Sequence, residues 1–135
     1  MSKKILLALL GIGIVGVSAA FYFMGNSVVP RVVVSDQSIG DGQVTVSEVD
    51  AVAPSWLVIQ TETNGAPGPV VGYTKIPKGL NKNVSVKIDV QRSTPRLFAM
   101  IHEDDGIKDR FDFPGNDMPL LYKGEMVNKL FSASK

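Results

Sequence analysis

The chain has 135 residues, no cysteine, and 14 basic against 13 acidic side chains, which gives a formal net charge of +1. The lack of cysteine excludes a disulfide framework, a thiolate metal site and a catalytic thiol. All 13 acidic residues follow residue 24, where 12 basic residues balance them, so the charge does not indicate a nucleic-acid-binding surface.

The first 25 residues predict a transmembrane helix. Residues 5–24 are 20 consecutive residues without charge, and as a helix they would span roughly 30 Å, the thickness of a hydrocarbon core. The stretch 17–19 (Val-Ser-Ala) resembles a signal cleavage site, so a cleaved signal sequence stays the alternative. Lys3 and Lys4 precede the apolar run, and positive charge before a membrane helix favours a cytoplasmic N-terminus. The protein is therefore predicted to cross the cell membrane once, with its C-terminal domain outside the cytoplasm.

Two small residues, Gly16 and Ala20, lie four positions apart within this segment. Such a pair lets a second helix approach closely, although glycine is also common in membrane helices generally. If the pair is a contact surface, it predicts that this helix packs against other transmembrane subunits or envelope proteins.

The remaining residues predict a linker and one β domain. Residues 26–42 combine β-branched residues with turn residues and predict a linker with a first strand; residues 43–135 predict the domain itself. The strand-like stretches are QVTVSEV, SWLVIQTE, VVGYTKI, VSVKIDV, RLFAMIHE, RFDF and a final hairpin around Lys123-Gly124, with PKGLNKN as a turn. In VSVKIDV the residues Val84, Val86, Ile88 and Val90 share one face.

Seven to eight short strands without a soluble helix indicate an all-β fold, an immunoglobulin-like β-sandwich. Because the cysteine pair of antibody domains is missing, Trp56 is expected to pack on aliphatic residues.

A series of short motifs carries a resemblance to a known domain family. They are G-x-P-G-x-V-x-G at 65–72, P-x-G at 77–79, N-V-x-V at 83–86, T-P-x-L-x-A-M-x-H at 94–102 and F-x-F-P-G at 111–115. Over roughly residues 43–131 the sequence resembles a domain family of unknown function found in exported and surface proteins of archaea and bacteria. The resemblance implies an immunoglobulin-like sandwich in an exported protein, and it implies no activity.

One acidic stretch is a candidate metal site. His102 is the only histidine, and HEDDGIKDRFD adds carboxylates that could serve as oxygen ligands, so the candidate ligands are His102, Asp105, Asp109 and Asp112. Calcium prefers several oxygen ligands, and copper would draw on His102 with nearby methionines. The opposing interpretation is that His102 is structural and that the acidic stretch is a solvated turn. Lys108 lies within this turn, and its positive charge would repel a cation.

Asn83-Val84-Ser85 is an N-glycosylation acceptor sequence. The chain has no G-x-S-x-G nucleophile motif, and its single histidine gives no recognisable catalytic group. The prediction is a non-enzyme, an accessory or structural subunit of a larger membrane or envelope complex. The alternative is an exported module that binds a ligand or a metal ion, calcium or copper.

Overall fold

The computed structural model describes residues 28–135, which form an all-β domain, as predicted. Its strands are β1 (Arg31–Val33), β2 (Gln37–Ser38), β3 (Gln43–Ala51), β4 (Ser55–Thr63), β5 (Ala66–Ile76), β6 (Gly79–Lys87), β7 (Arg96–Glu103), β8 (Leu121–Tyr122), β9 (Glu125–Met126) and β10 (Asn128–Ser134). The predicted membrane segment at 1–25, including Gly16 and Ala20, lies outside the described residues. From residue 28 onward, no helix is long and apolar enough to cross a membrane.

The strands form two main sheets and a separate hairpin. The three-stranded sheet has the order β1-β3-β6, and the five-stranded sheet has the order β2-β10-β7-β4-β5. Strands β2 and β10 are parallel, and the other pairs are antiparallel. Hairpin β8–β9 turns at Lys123 and Gly124, as predicted; both have positive φ (51° and 82°), which a two-residue type I′ turn requires.

The two sheets enclose one apolar core. The three-stranded sheet contributes Val44, Val46, Val49 and Val86, and the five-stranded sheet contributes Leu57, Ile59, Leu97, Ala99, Ile101 and Phe131. Each fully buried aliphatic side chain of this kind contributes about 1.5–3 kcal/mol. The predicted inward face of VSVKIDV is confirmed, because Val84, Ile88 and Val90 pack against the core beside Val86.

Strands β4 and β7 are buried on both faces. Leu57 and Ile59 of β4 face the core, while the side chains that alternate with them, Trp56, Val58 and Gln60, are also buried but outside the core cluster. This outer face of the five-stranded sheet is covered by residues 104–120, a segment with no strand that we call the covering loop. Trp56 therefore packs on the rings of Tyr73 and Phe111. The sequence alone predicts aliphatic neighbours instead.

Two further local predictions are wrong. The stretch 77–83 does not form a turn throughout, because β6 begins at Gly79 and runs through Asn83. Its polar residues are compatible with a strand that buries only one face. The stretch 110–113 belongs to the covering loop instead of forming a strand, since its two phenylalanine rings face the sheet while its backbone pairs with none of the strands described. A cis peptide bond joins Phe113 to Pro114.

The strand register defines two ends of the domain. Arg31, near the first described residue, pairs with Asp50, and Ser55 pairs with Glu103 at the same end. Hairpin β8–β9 joins this end through hydrogen bonds of Leu120 and Val127 with the backbone of Ile101. We call the end that holds Arg31, Ser55 and this hairpin the proximal end. The distal end holds the turn at residues 91–94 and the C-terminus.

Candidate functional site

The covering loop is organised by one buried carboxylate, that of Asp117. Its Oδ1 accepts backbone hydrogen bonds from Asp105 (3.0 Å) and Gly106 (3.3 Å), and its Oδ2 accepts one from Asp112 (2.6 Å). The backbone N–H of Asp117 donates to the Asp112 carbonyl at 2.9 Å. Because Asp105, Gly106 and Asp112 lie outside the strands and have no ladder partners, this carboxylate accepts the hydrogen bonds of their amides.

His102 connects the loop to the sheet. The ring is fully buried; its Nδ1 lies 2.8 Å from the Asp117 carbonyl oxygen and its Nε2 lies 3.1 Å from Oε1 of Gln60. The Gln60 amide nitrogen donates to the Gly68 carbonyl at 2.9 Å. Since a carbonyl oxygen only accepts, Nδ1 carries a hydrogen. Burial lowers the pKa of His102, and the contact with Asp117 opposes that shift.

An aromatic cluster and an ion pair attach the start of the loop to β5. The rings of Trp56, Tyr73 and Phe111 lie with centroids 4.4–5.7 Å apart. The Lys75 ammonium lies 4.8 Å from the centre of the Trp56 ring and forms an ion pair with Asp104, whose side chain is 7% exposed. Lys75 lowers the pKa of the Asp104 carboxyl by donating a hydrogen bond to it.

A groove of about 630 Å³ opens at the proximal end, between the covering loop and the β3–β4 and β5–β6 turns. We call it the proximal groove. Its apolar lining comes from Val52, Ala53, Pro54, Ile76, Pro77 and Leu120, and its charged lining from Lys75, Glu103, Asp104, Asp105, Lys108 and Asp109. An apolar surface beside a few charged groups is the usual composition of a binding site.

Two carboxyl groups meet on the acidic side of this groove. A hydrogen bond with the Asp105 side chain raises the pKa of Glu103, and burial and the Asp105 charge raise it further. Lys75 neutralises Asp104 directly and lies 3.8 Å from Asp109. The negative charge of the Glu103–Asp105 pair is therefore less compensated than that of Asp104.

The structure separates the four candidate metal ligands. His102 is buried with both ring nitrogens occupied, while Asp105 and Asp109 line the proximal groove. Asp112 points to Asn116, which donates to its Oδ2 at 3.4–3.5 Å. Among residues 28–135, no group of three or more His, Asp or Glu side chains is placed to hold a metal ion.

Asn83 lies exposed within strand β6, at a positive φ of 51°. Glycosylation there stays a prediction. Sequence reasoning missed the roles of Asp117, Gln60 and Lys75. One signal for them was present, because WLVI (56–59) and LFAMI (97–101) are continuous apolar runs. Continuous apolar runs are typical of strands covered on both faces, and the long stretch 104–120 was the segment available to cover them.

Comparison with protein families gives a match to a model described as "Domain of unknown function (DUF7282)" over residues 30–133. The prediction of a family of unknown function is confirmed, and the matched range begins at the first strand instead of at residue 43. Comparison with curated proteins and with solved structures gives no significant match.

Proposed function

The chain belongs to the DUF7282 family, whose description assigns no activity, and we propose that it is a non-catalytic, single-pass membrane protein. Its domain would be extracytoplasmic and would act as an accessory subunit of a larger membrane or envelope complex. The observation that carries this proposal is the proximal groove, which opens at the end of the domain where the N-terminal apolar segment joins it.

We also propose that the domain is an immunoglobulin-like sandwich, as expected from the sequence. The order β1-β3-β6 corresponds to strands A, B and E of that fold, and β10-β7-β4 corresponds to G, F and C. Strand β5 beside β4 then takes the position that variable-type domains fill with an additional strand. Domains of this kind commonly serve in recognition at cell surfaces, and this use agrees with an accessory role.

The chemistry of the groove favours a protein segment as its occupant. Four acidic residues and two lysines line it, so its net charge is about −2 if all six are ionised. An apolar segment flanked by Lys or Arg would bury its side chains against Ala53 and Pro54 and place its charge near Asp105. Electrostatic complementarity of this kind supplies specificity in addition to affinity.

Native co-migration tests the proposal. The full-length chain is extracted from its own membranes in mild detergent, complexes are separated by size, and co-migrating chains are identified by mass spectrometry. We expect a complex well above 14.5 kDa that retains the peptide containing residues 5–24. A chain that migrates alone and lacks the residues before Ala20 would overturn the accessory role and the anchor together.

A matched pair of variants assigns the contact to the groove. Val52→Glu places a charge on a side chain that lines the groove and is 38% exposed, whereas Gln91→Glu places one in an exposed distal turn. We expect Val52→Glu to release the chain from the complex and Gln91→Glu to leave it bound. Release by both variants or by neither would mean that the partner binds elsewhere.

The second candidate function is an exported module that binds an ion or a ligand, and the acidic lining of the proximal groove, which includes Glu103 and Asp105, favours it. Calcium fits better than copper, since both nitrogens of His102 are engaged within the domain. If calcium binds here, adding it should raise the melting temperature of the protein, and Asp105→Asn should abolish that increase while Asp41→Asn should not. The absence of any calcium-dependent shift would eliminate calcium as the ligand.

A further inference from the structure

Exposed apolar side chains are concentrated at the proximal end. Within residues 28–135, seven of the ten large apolar residues that are exposed lie there: Val29, Val52, Leu80, Met118, Leu121, Tyr122 and Met126. The other three are Val33, Tyr73 and Ile107, so the distal turns and the C-terminus contribute none among the described residues. One end of the domain thus resembles a contact surface, and the other resembles an ordinary solvated surface.

Hairpin β8–β9 forms the most exposed part of this surface. Leu121 is 60% exposed and Met126 is 42% exposed, and they face each other as a cross-strand pair. At the tip, the Lys123 ammonium lies 5.4 Å from the centre of the Tyr122 ring. An aromatic ring beside a lysine, next to exposed aliphatic side chains, is the composition of membrane–water interfaces.

The hairpin also lies beside the point where the described chain begins. Tyr122 and Met126 line an open cleft of about 250 Å³ together with Pro30 and Val32. Only residues 25–30 separate the apolar run 5–24 from β1, and six extended residues reach at most about 20 Å. A domain tethered by such a short segment must keep its proximal end close to the bilayer.

We propose that the proximal end docks on the lipid surface, with hairpin β8–β9 inserting Leu121, Tyr122 and Met126 among the headgroups. This inference rests on the proposed membrane anchor and adds the orientation of the domain. The tip carries Lys123 and Glu125, whose charges cancel, so burial of apolar side chains drives the insertion and neutral lipids suffice. The proximal groove then opens at headgroup level, within reach of the juxtamembrane segment of a neighbouring subunit.

Site-directed fluorescence tests the orientation, and the absence of cysteine makes single-cysteine variants straightforward. The full-length variants Leu121→Cys, Met126→Cys and the distal control Gln91→Cys carry an environment-sensitive dye in phosphatidylcholine vesicles. We expect the dyes at positions 121 and 126 to emit at shorter wavelength and to be quenched by lipid-borne quenchers. The dye at position 91 should respond only to a quencher dissolved in water.

Resistance of the protein to carbonate extraction separates the two proposals. If the chain resists extraction but the dyes at positions 121 and 126 behave like the dye at position 91, docking on lipid is overturned and the anchor stands. If these dyes are protected only in native membranes and not in pure lipid, a protein partner covers the hairpin, which also overturns docking on lipid. If the chain is extracted, the anchor and the docking both fail.

A charged substitution provides a second measurement. Leu121→Glu changes an exposed side chain, so the fold should survive, and thermal unfolding of the variant checks this. We expect the dye at position 126 to return to a water-exposed spectrum in this background. Gln91→Glu, in the exposed distal turn, is the control and should leave that dye lipid-exposed. An unchanged spectrum in Leu121→Glu would contradict insertion of the hairpin.

Discussion

The two faces of the five-stranded sheet are buried by different chemistry. The inner face meets the other sheet through aliphatic side chains such as Leu57 and Ile101. The outer face meets the covering loop through aromatic rings and through the hydrogen-bonded series Gln60, His102 and Asp117. A sheet facing a sheet needs only complementary apolar shape, whereas the covering loop, which pairs with β7 only at its end (residues 118–120), also needs its other backbone amides satisfied.

This contrast shows how a strandless segment can seal a sheet. Burying polar backbone costs free energy unless each group finds a partner, and one carboxylate here satisfies three amides. The covering loop is therefore held by a few hydrogen bonds with defined partners, whereas the core is held by many apolar packing contacts. Loss of a single residue should affect the two layers differently.

The largest expected effect comes from truncating the core. Ile101→Ala and Met100→Ala remove adjacent, fully buried side chains of β7 that face opposite layers. We expect Ile101→Ala to lower the free energy of unfolding by about 3–4 kcal/mol and Met100→Ala by roughly 2 kcal/mol, because a loop can relax into a cavity more easily than a sheet can. Urea unfolding measures both. Equal losses would mean that the covering loop is packed as rigidly as the second sheet.

The next largest effect concerns the carboxylate that organises the loop. Asp117→Asn keeps one carbonyl oxygen but turns an amide group toward a backbone donor, so it should cost about 1–3 kcal/mol. The control Asp112→Asn changes an exposed carboxylate and should cost less than about 0.5 kcal/mol. Faster amide exchange at Asp105, Gly106 and Asp112 in the Asp117→Asn variant would locate the effect. Unchanged exchange there would show that other contacts hold the loop.

The same contrast explains which features the sequence could predict. The inner layer follows from alternation: Val84, Val86, Ile88 and Val90 repeat with period two, and their inward face was predictable. The hairpin at Lys123-Gly124 was predictable from turn chemistry. Both depend on residues close together in the chain.

The outer layer depends on contacts between distant residues. Gln60 and His102 are 42 positions apart, and nothing local in PGNDMP distinguishes a buried Asp117 from a solvated turn residue. The acidic stretch therefore suggested a metal site. In the fold, backbone amides donate hydrogen bonds to both oxygens of the Asp117 carboxylate. Strand β6 shows the same limit, since its polar start resembles a turn until β3 pairs with it.

A smaller effect links the outer layer to pH. Burial lowers the folded-state pKa of His102 below its ordinary value of 6.5, so the unfolded chain binds the proton more readily. The stability that His102 contributes is fully present above about pH 6.5 and is lost as the pH falls through the folded-state pKa. We expect urea unfolding to show that the free energy of unfolding falls between pH 7 and pH 5.

The control for this pH dependence is His102→Gln. Whatever the stability of this variant, its free energy of unfolding should lack the part of the pH dependence that His102 causes. Two carbonyl oxygens face the ring, those of Asp117 and Gln60, and only the charged form donates to both. If stability rose on acidification, these two hydrogen bonds would outweigh the cost of burying the charge.

The smallest expected effect tests whether an ion pair holds the loop in place. Lys75→Met keeps the apolar stem beside Trp56 but removes the ammonium that pairs with Asp104, and we expect a loss of about 0.5–1 kcal/mol. The control Arg31→Met removes ion pairs with Glu48 and Asp50 on the three-stranded sheet, where β1 stays paired through its backbone. Amide exchange is the measurement, that of the covering loop in Lys75→Met and that of β1 in Arg31→Met. Faster exchange only in Lys75→Met would show that the loop, unlike the sheet, depends on single polar contacts, and equal exchange in both variants would remove that distinction for ion pairs.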